Sequence, residues 1–373
     1  MLSRFKLLSF AVISIVISLL VVGLIMEIAL RCLPVNEGLH AQPVNEDNPV
    51  LRYAPNRSSM FSKGWNFPIV NQIRVNNYGF VNQVDYDPKA TTPLLAIVGD
   101  SYIEAAMVEQ NKTAAAVVAA GISGRGRVYT FGSSGSSLSQ YVAYAQYARD
   151  TFHPACLAVL IIGNDFDESL LKYKSEPGYH YFDERPHGKL TLTRVDRDVN
   201  RWRRLLARSA LAMYIVVNLE APQLWARLKE FYTPYSVPSQ SYAGNVPARV
   251  DGTRLVDSQG AVDAFLDMLP ARAGLEPSQI ILGMDGNRRE IYENRGDSVT
   301  DSYFDIMRRY LMRVAEEKGF VVIDMQQQFM AHFRAHGQKF EFPTDGHWNG
   351  LGHAVFARAI QDSSAYKNCF ASR

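Results

Sequence analysis

Four short clusters hold the side chains able to do chemistry: Gly99-Asp100-Ser101-Tyr102, Gly132-Ser133-Ser134-Gly135, Gly163-Asn164-Asp165 and Asp345-Gly346-His347-Trp348-Asn349. A serine hydroxyl is a weak nucleophile until a base removes its proton. An imidazole, with an ordinary pKa of about 6.5, is suited to that task. His347 is the candidate base for Ser101. Asp345, two residues before it, is placed to fold back on the ring, hold its tautomer and stabilise the imidazolium. Acyl transfer also needs donors aimed at a developing oxyanion. The Ser101 backbone N–H, the Gly135 backbone N–H and the Asn164 side-chain amide are the candidates, and glycine allows close approach at the second of these. Singly, each cluster reads equally well as a turn or a helix cap. Their weight lies in order and placement.

That placement depends on the elements in front of them. Leu94–Val98 is a short apolar run rich in strand formers and closes on Ser101. Arg127–Phe131 is a second strand, ending at the Gly132–Gly135 cluster. Cys156–Ile162 is a near-continuous apolar run, the mark of a strand buried on both faces, and it ends at Asn164. Helical patterns fall between and after them: Glu109–Ala120, Leu138–Phe152, Ser302–Glu317, Gln327–Ala335 and a last helix from Gly350. Gln279–Met284 and Phe320–Met325 are two further strands. Strands alternating with helices predict an α/β domain with a mostly parallel sheet, whose ligands bind outside the carboxyl ends of its strands. Residues 166–275 are less regular, with a helical pattern over Trp202–Phe231 broken near Pro234–Pro238.

The four clusters, in this order, resemble the SGNH (GDSL-type) hydrolase superfamily over roughly Leu94–Ile360. Gly99-Asp100-Ser101 matches the first block and Gly135 the glycine of the second. Ile162-Gly163-Asn164-Asp165 approximates the third, with the glycine adjoining the asparagine. Asp345-Gly346-His347 matches the last block in the spacing of some branches. The resemblance implies a three-layer α/β/α sandwich with a flavodoxin-like sheet. It makes Ser101 the nucleophile and an oxyanion donor, with Gly135 and Asn164 completing the hole. His347 becomes the base and Asp345 its partner. It implies a serine esterase acting on O-acyl esters, acetyl above all, of an extracytoplasmic carbohydrate. The alternatives are an O-acyltransferase modifying a cell-envelope polysaccharide and a non-catalytic scaffold or glycan-binding subunit. No cofactor and no metal are implied.

The N-terminus sets the location. From Leu7 to Met26 every residue is apolar or small except for serines, and about twenty residues at 1.5 Å each span a bilayer core of roughly 30 Å. Arg4 and Lys6 in front favour a cytoplasmic N-terminus. The apolar run exceeds a signal peptide's usual core, and no small-x-small cleavage site follows. Arg31 before Cys32 is a poor fit to lipoprotein processing. The reading is an uncleaved single-pass inner-membrane anchor (1–32, with 7–30 in lipid), an extended leader over 33–93 packing on the main domain, and an exported catalytic domain over 94–373. That domain carries an insert near 170–275. Envelope polysaccharide machinery is the expected setting.

The bulk numbers agree with an ordinary globular domain: 373 residues, 47% hydrophobic, 20% charged and a net charge of +2. Nothing points to nucleic acid, since the densest basic group, Arg201, Arg203 and Arg204, reads as a solvated or lipid-facing surface. Three cysteines form no metal motif. Cys156 reads as a buried small hydrophobe, and Cys32 with Cys369 are left open to pairing. His353 reads as a packing residue on the last helix. His332 and His336 stand four apart without a third ligand and read as a solvated face. Asp285 is expected to line the cleft, and Trp348 to be either a substrate wall or core.

Overall fold

A computed structural model of the chain describes residues 4–122, 124–186, 188–199, 206–221, 252–293 and 302–371. The basic group Arg201, Arg203 and Arg204, and most of the helical pattern over Trp202–Phe231, lie outside the described residues. The chain divides into two units. The first comprises Met1–Leu39, Ser59–Gln72 and Asn200–Val237, and the second His40–Ser58, Ile73–Val199 and Pro238–Arg373.

In the first unit, helix α1 (Arg4–Leu30) is apolar on all sides, and its stretch Leu8–Leu30 is long and apolar enough to cross a membrane. Strands β1 (Arg57–Lys63) and β2 (Ile69–Val75) pair as a ribbon whose body, Ser59–Gln72, belongs here. A short helix, Ala210–Met213, continues into a π-helical turn over Tyr214–Asn218. The interior is polar in part. Asn36 Nδ2 donates to the Ser62 carbonyl at 2.9 Å, and Asn218 Nδ2 donates to Ser62 Oγ at 2.9 Å.

The second unit is built on five parallel strands: β3 (Leu94–Gly99), β4 (Arg127–Gly132), β5 (Cys156–Ile161), β8 (Ile280–Met284) and β9 (Val321–Asp324). Their spatial order is β4-β3-β5-β8-β9, so the first strand lies between the second and third, as in flavodoxin-like sheets. Two antiparallel hairpins accompany the sheet: β6 (His180–Glu184) with β7 (Leu190–Arg194), and β10 (Glu341–Phe342) with β11 (Asp345–Trp348).

Period-two alternation sends each strand's side chains to opposite faces, and the helices sort accordingly. Leu94, Ala96 and Val98, with Leu157, Val159 and Ile161, face α4 (Leu138–Phe152), α5 (Gly252–Ala273) and α7 (Tyr303–Glu317). Leu95 and Ile97, with Ala158 and Leu160, face α3 (Ala114–Ile122), α8 (Met325–His336), α9 (Gly350–Asp362) and α10 (Ser364–Cys369). The result is the mostly parallel α/β domain that the strand–helix alternation predicts, in the three-layer α/β/α form that the resemblance implies. Two short helices, α2 (Ser101–Glu104) and α6 (Arg288–Tyr292), sit directly after β3 and β8.

Local chemistry sets the ends of these elements. Ser302 Oγ accepts the Asp305 N–H and starts α7, while Asp324 accepts the Gln326 N–H and starts α8. The expected helix over Glu109–Ala120 is split at Thr113 into a 3₁₀ turn, Gln110–Lys112, and α3. In the leader, Asn76 Oδ1 accepts the N–H groups of Tyr78 and Phe80 and makes a tight turn. Gly79 completes it at φ +85°, where a Cβ would lie 2.4 Å from the Tyr53 carbonyl. Val50, Phe80 and Tyr86 are buried against α4 and the sheet.

The cysteines differ from expectation. Cys369, at the end of α10, is bonded to Cys156 at the start of β5, and Cys32 is exposed as a free thiol. Cys156 is buried, as the apolar run predicts, but as half of a disulfide rather than as a packing residue. The bond closes a loop of 213 positions. Cys369→Ser is expected to lower unfolding stability by roughly 2–5 kcal/mol. Denaturant midpoints should fall equally in the mutant and in the reduced wild type. A midpoint equal to that of the oxidised wild type would contradict the crosslink.

Candidate active site

Ser101 opens α2 at the carboxyl end of β3, the central member of the β4-β3-β5 triplet. Gly132 is the register partner of Gly99, and Val159 that of Val98. The segments bearing Ser101, Gly135 and Asn164 therefore leave three adjacent parallel strands at nearly the same level. Between β3 and β5 the strand order reverses, which is where open α/β sheets form their ligand crevice.

The fourth cluster arrives from the other end of the chain on the β10–β11 hairpin. Ser101 Oγ lies 2.8 Å from His347 Nε2. The other ring nitrogen, Nδ1, is hydrogen-bonded to Asp345 Oδ1, which also accepts the His347 backbone N–H at 2.8 Å. Asp345 is buried while Ser101 and His347 are partly open. A hydroxyl, an imidazole and a buried carboxylate thus form one hydrogen-bonded chain, the arrangement that a nucleophile, its base and an orienting partner require. Asn349 then accepts the N–H groups of Leu351 and Gly352 and turns the chain into α9.

The expected oxyanion donors occupy distinct settings. Asn164 is half-buried, and its Oδ1 is enclosed without a hydrogen-bond partner among the described residues. Gly135 adopts φ +83°, with its carbonyl accepting Lys174 Nζ at 2.9 Å. The Ser101 backbone N–H also helps to stabilise the Asp100 carboxylate.

Three buried carboxyl groups, none assigned a role from sequence, hold these loops in place. Asp100 Oδ1 accepts the Tyr102 N–H at 2.9 Å, and its Oδ2 lies 3.2 Å from Ser101 Oγ. Burial pushes the Asp100 carboxyl up to about 6, against the stabilising Tyr102 N–H and the His347 ring. Glu104 accepts Tyr53 Oη at 2.7 Å and the Ser134 N–H at 2.6 Å, tethering the loop that carries Gly135. Asp165 accepts Tyr141 Oη at 3.0 Å and the Ile162 N–H at 2.8 Å, fixing the loop that carries Asn164. Burial raises both of these carboxyls as well.

No family model matches the chain, and no curated protein does either. Solved structures do show a distant likeness. An α/β hydrolase enzyme from the metagenome of Lake Arreo, Spain, is similar over 76% of this chain and 99% of its own, at 18% identity and a TM-score of 0.40. A putative GDSL-like lipase from Parabacteroides merdae is similar over 74% of this chain and 96% of its own, at 14% identity and a TM-score of 0.39. A two-domain esterase active on acetylated mannans is similar over 75% of this chain but only 50% of its own, at 11% identity and a TM-score of 0.38.

Asp285 does not line the cleft. It is fully buried and pairs with Arg288, whose Nη1 donates to both carboxylate oxygens at 2.7 and 3.0 Å. The same guanidinium donates through Nη2 to the Gly346 carbonyl at 2.7 Å and to Tyr102 Oη at 3.1 Å. Asp285 Oδ1 in turn accepts Trp348 Nε1–H at 3.2 Å. One buried ion pair therefore grips the chain on either side of His347. Trp348 itself is core, with no exposed surface. Arg288→Met is expected to lower kcat on the order of tenfold through a small displacement of His347, with KM little changed. Arg288→Lys should recover part of the loss. Equal kcat in Met and wild-type proteins of equal stability would remove Arg288 as a positioning residue.

His353 is buried on α9, as expected of a packing residue, and its Nδ1 accepts the Ala114 N–H at 3.2 Å. Burial drops its pKa from 6.5 to about 3, aided by the nearby His347 ring. A neutral buried imidazole contributes stability that is complete above pH 6.5 and is lost as pH falls toward 3, because the unfolded chain takes the proton first. By pH 5 the loss from this group amounts to about 2 kcal/mol. Denaturant midpoints of His353→Gln should fall less between pH 7.5 and 5 than those of wild type, and equal slopes would disprove the assignment. His332 and His336 lie with ring centroids 4.4 Å apart on α8, and no cluster suited to a metal occurs among the described residues.

Proposed function

We propose that this protein is a serine ester hydrolase that removes O-acyl groups, acetyl above all, from an extracytoplasmic carbohydrate. The observation that carries the proposal is the continuous chain from Ser101 Oγ through His347 to Asp345, with 2.8 Å at the nucleophile–base contact. In the first half-reaction Ser101 Oγ bonds to the ester carbonyl carbon while its proton passes to His347 Nε2. Asp345 stabilises the imidazolium. The Asn164 amide and the Gly135 N–H receive the oxyanion. Collapse breaks the ester C–O bond, and the leaving alkoxide takes the proton from Nε2. Water then repeats the sequence on the acyl-serine, with His347 as base, releasing the acid and regenerating the hydroxyl.

The location proposed is a single-pass inner-membrane anchor with the catalytic domain outside the cytoplasm. Support comes from the apolar stretch Leu8–Leu30 of α1, from Arg4 and Lys6 ahead of that stretch, and from the Cys156–Cys369 disulfide, which persists in oxidising compartments. Such an anchor also suits capture of the acyl group by a sugar hydroxyl instead of water, since a membrane would bring donor and acceptor together. Envelope polysaccharide machinery is the setting proposed for either outcome.

The test is turnover of a small acetyl ester by the detergent-solubilised full chain, with and without an acetylatable oligosaccharide. Free acetate in both reactions supports hydrolysis, and acetylated oligosaccharide supports transfer. Neither product, together with no labelling of Ser101 by a serine-directed phosphonate, would sink the proposal and favour a binding subunit.

A further inference from the structure

Ten residues of the first unit are folded inside out. Ala210–Leu219 contains nine apolar or aromatic residues and one polar one, Asn218. Asn218 is the single buried residue of the ten, at 3% exposure, and its amide is fully engaged inward. Its Oδ1 accepts the Asn36 N–H at 3.3 Å, and its Nδ2 donates to Ser62 Oγ and to the Gly64 carbonyl. None of the apolar residues around it is buried: seven are partly covered, and Ile215 and Val216 stand 41% and 50% exposed. A water-facing segment arranges these residue types the other way round.

The pattern extends across the unit. Outside α1, eight large apolar side chains are exposed among the described residues. Six of them, Leu33, Trp65, Val70, Leu206, Ile215 and Val216, belong to this small unit, and only Val84 and Val256 to the far larger one. A concentration of that kind marks an interaction surface.

The contacts of α1 say what covers it. Near the carboxyl end of α1, the Glu27 carboxylate accepts Ser209 Oγ at 2.8 Å and the N–H groups of Ala210 and Leu211 at 3.1 and 2.9 Å. Arg31 Nε binds the same carboxylate at 2.8 Å, and its Nη2 reaches the Arg208 carbonyl. The inside-out segment is thus fastened to the end of the apolar helix itself. Its neighbours are interfacial in type: Tyr214 Oη donates to the Trp65 carbonyl at 2.8 Å, Phe67 packs against the Tyr214 ring, and Arg31 and Arg208, joined at the end of α1, are exposed. Aromatic side chains at headgroup level and cations over an apolar face describe a helix lying in a membrane surface.

We infer that Leu206–Leu219, with Trp65, seats in the headgroup region of the bilayer that α1 crosses. The inference rests on α1 being a membrane span. The unit is then a foot resting on lipid, and its exposed apolar surface is covered by acyl chains rather than by another protein.

The test uses the full chain with Cys32→Ser, reconstituted in vesicles of phosphatidylethanolamine and phosphatidylglycerol. Nitroxides are attached singly through Ile215→Cys, Val216→Cys, Leu24→Cys in α1, and Val84→Cys as an exposed apolar control. Collision with oxygen relative to a water-soluble nickel chelate reads the depth of each label. The labels at positions 215 and 216 should give a ratio several-fold above that at 84 and approaching that at 24. Ratios matching position 84 while position 24 reads as lipid-exposed would overturn the seat and leave the anchor standing. A water-exposed label at position 24 would remove the anchor and the seat together. Labels at 215 and 216 immobilised and shielded from both reagents would assign the surface to a protein partner, which also overturns the proposal.

Discussion

Ser101→Ala is expected to lower turnover of a small acetyl ester by about 10⁴-fold or more while leaving the fold intact. Among the described residues the hydroxyl hydrogen-bonds only to His347 Nε2 and Asp100 Oδ2, neither of them a core packing contact. Deleting it leaves a methyl group in the same half-open place, so the unfolding midpoint should stay close to that of wild type. What disappears is the atom that would form the acyl bond. Labelling by a fluorophosphonate should vanish in parallel. A purified mutant that keeps its ester turnover would refute the assignment of Ser101, and with it the role of His347.

Asn164→Ala is the second large effect, a fall in kcat of about 10²–10³-fold. The physical signature is the combination of that loss with unchanged stability. Asn164 Oδ1 is enclosed without a hydrogen-bond partner among the described residues, so its removal breaks no internal bond and relieves a desolvated acceptor. A structural asparagine would behave in the opposite way, lowering the melting midpoint when truncated. Asn164→Asp should be as inactive as the alanine variant, because a carboxylate presents no donor to an oxyanion and repels it. Unchanged kcat in both variants, measured at saturating ester, would exclude Asn164 from the oxyanion hole.

The sheet was legible because its strands are short apolar runs that end abruptly in glycine and polar residues. Leu138–Phe152 was legible as a helix because Leu138, Tyr141, Val142, Ala145, Ala148 and Phe152 recur at three- and four-residue steps. Gly252–Ala273 was not. It carries Gly252, Gly260 and Pro270, and its buried stripe of Ala261, Val262, Phe265, Leu266 and Leu269 fills only the later half. Tertiary packing on α4 and α7 outweighs that poor local propensity. The four site clusters were readable because they stand in order along the chain, three of them directly behind strands. Arg288 was invisible in the same reading. An arginine three residues after an aspartate suggests only a local ion pair, and its reach to Gly346 depends on a hairpin 58 residues away. The disulfide partner was equally hidden, since a separation of 213 residues carries no local signal.

The contact between Ser101 and His347 joins positions 246 residues apart. Contacts between distant positions carry a loop-closure cost before they return anything, and they form late. The strands that present Ser101, Gly135 and Asn164 can assemble from a local stretch of chain, but the base cannot arrive until β8, β9 and the β10–β11 hairpin have added to them. If Ser101 is the nucleophile, a nascent or partly folded chain therefore presents it without its base. On the proposed reading, topology alone delays the assembly of nucleophile with base.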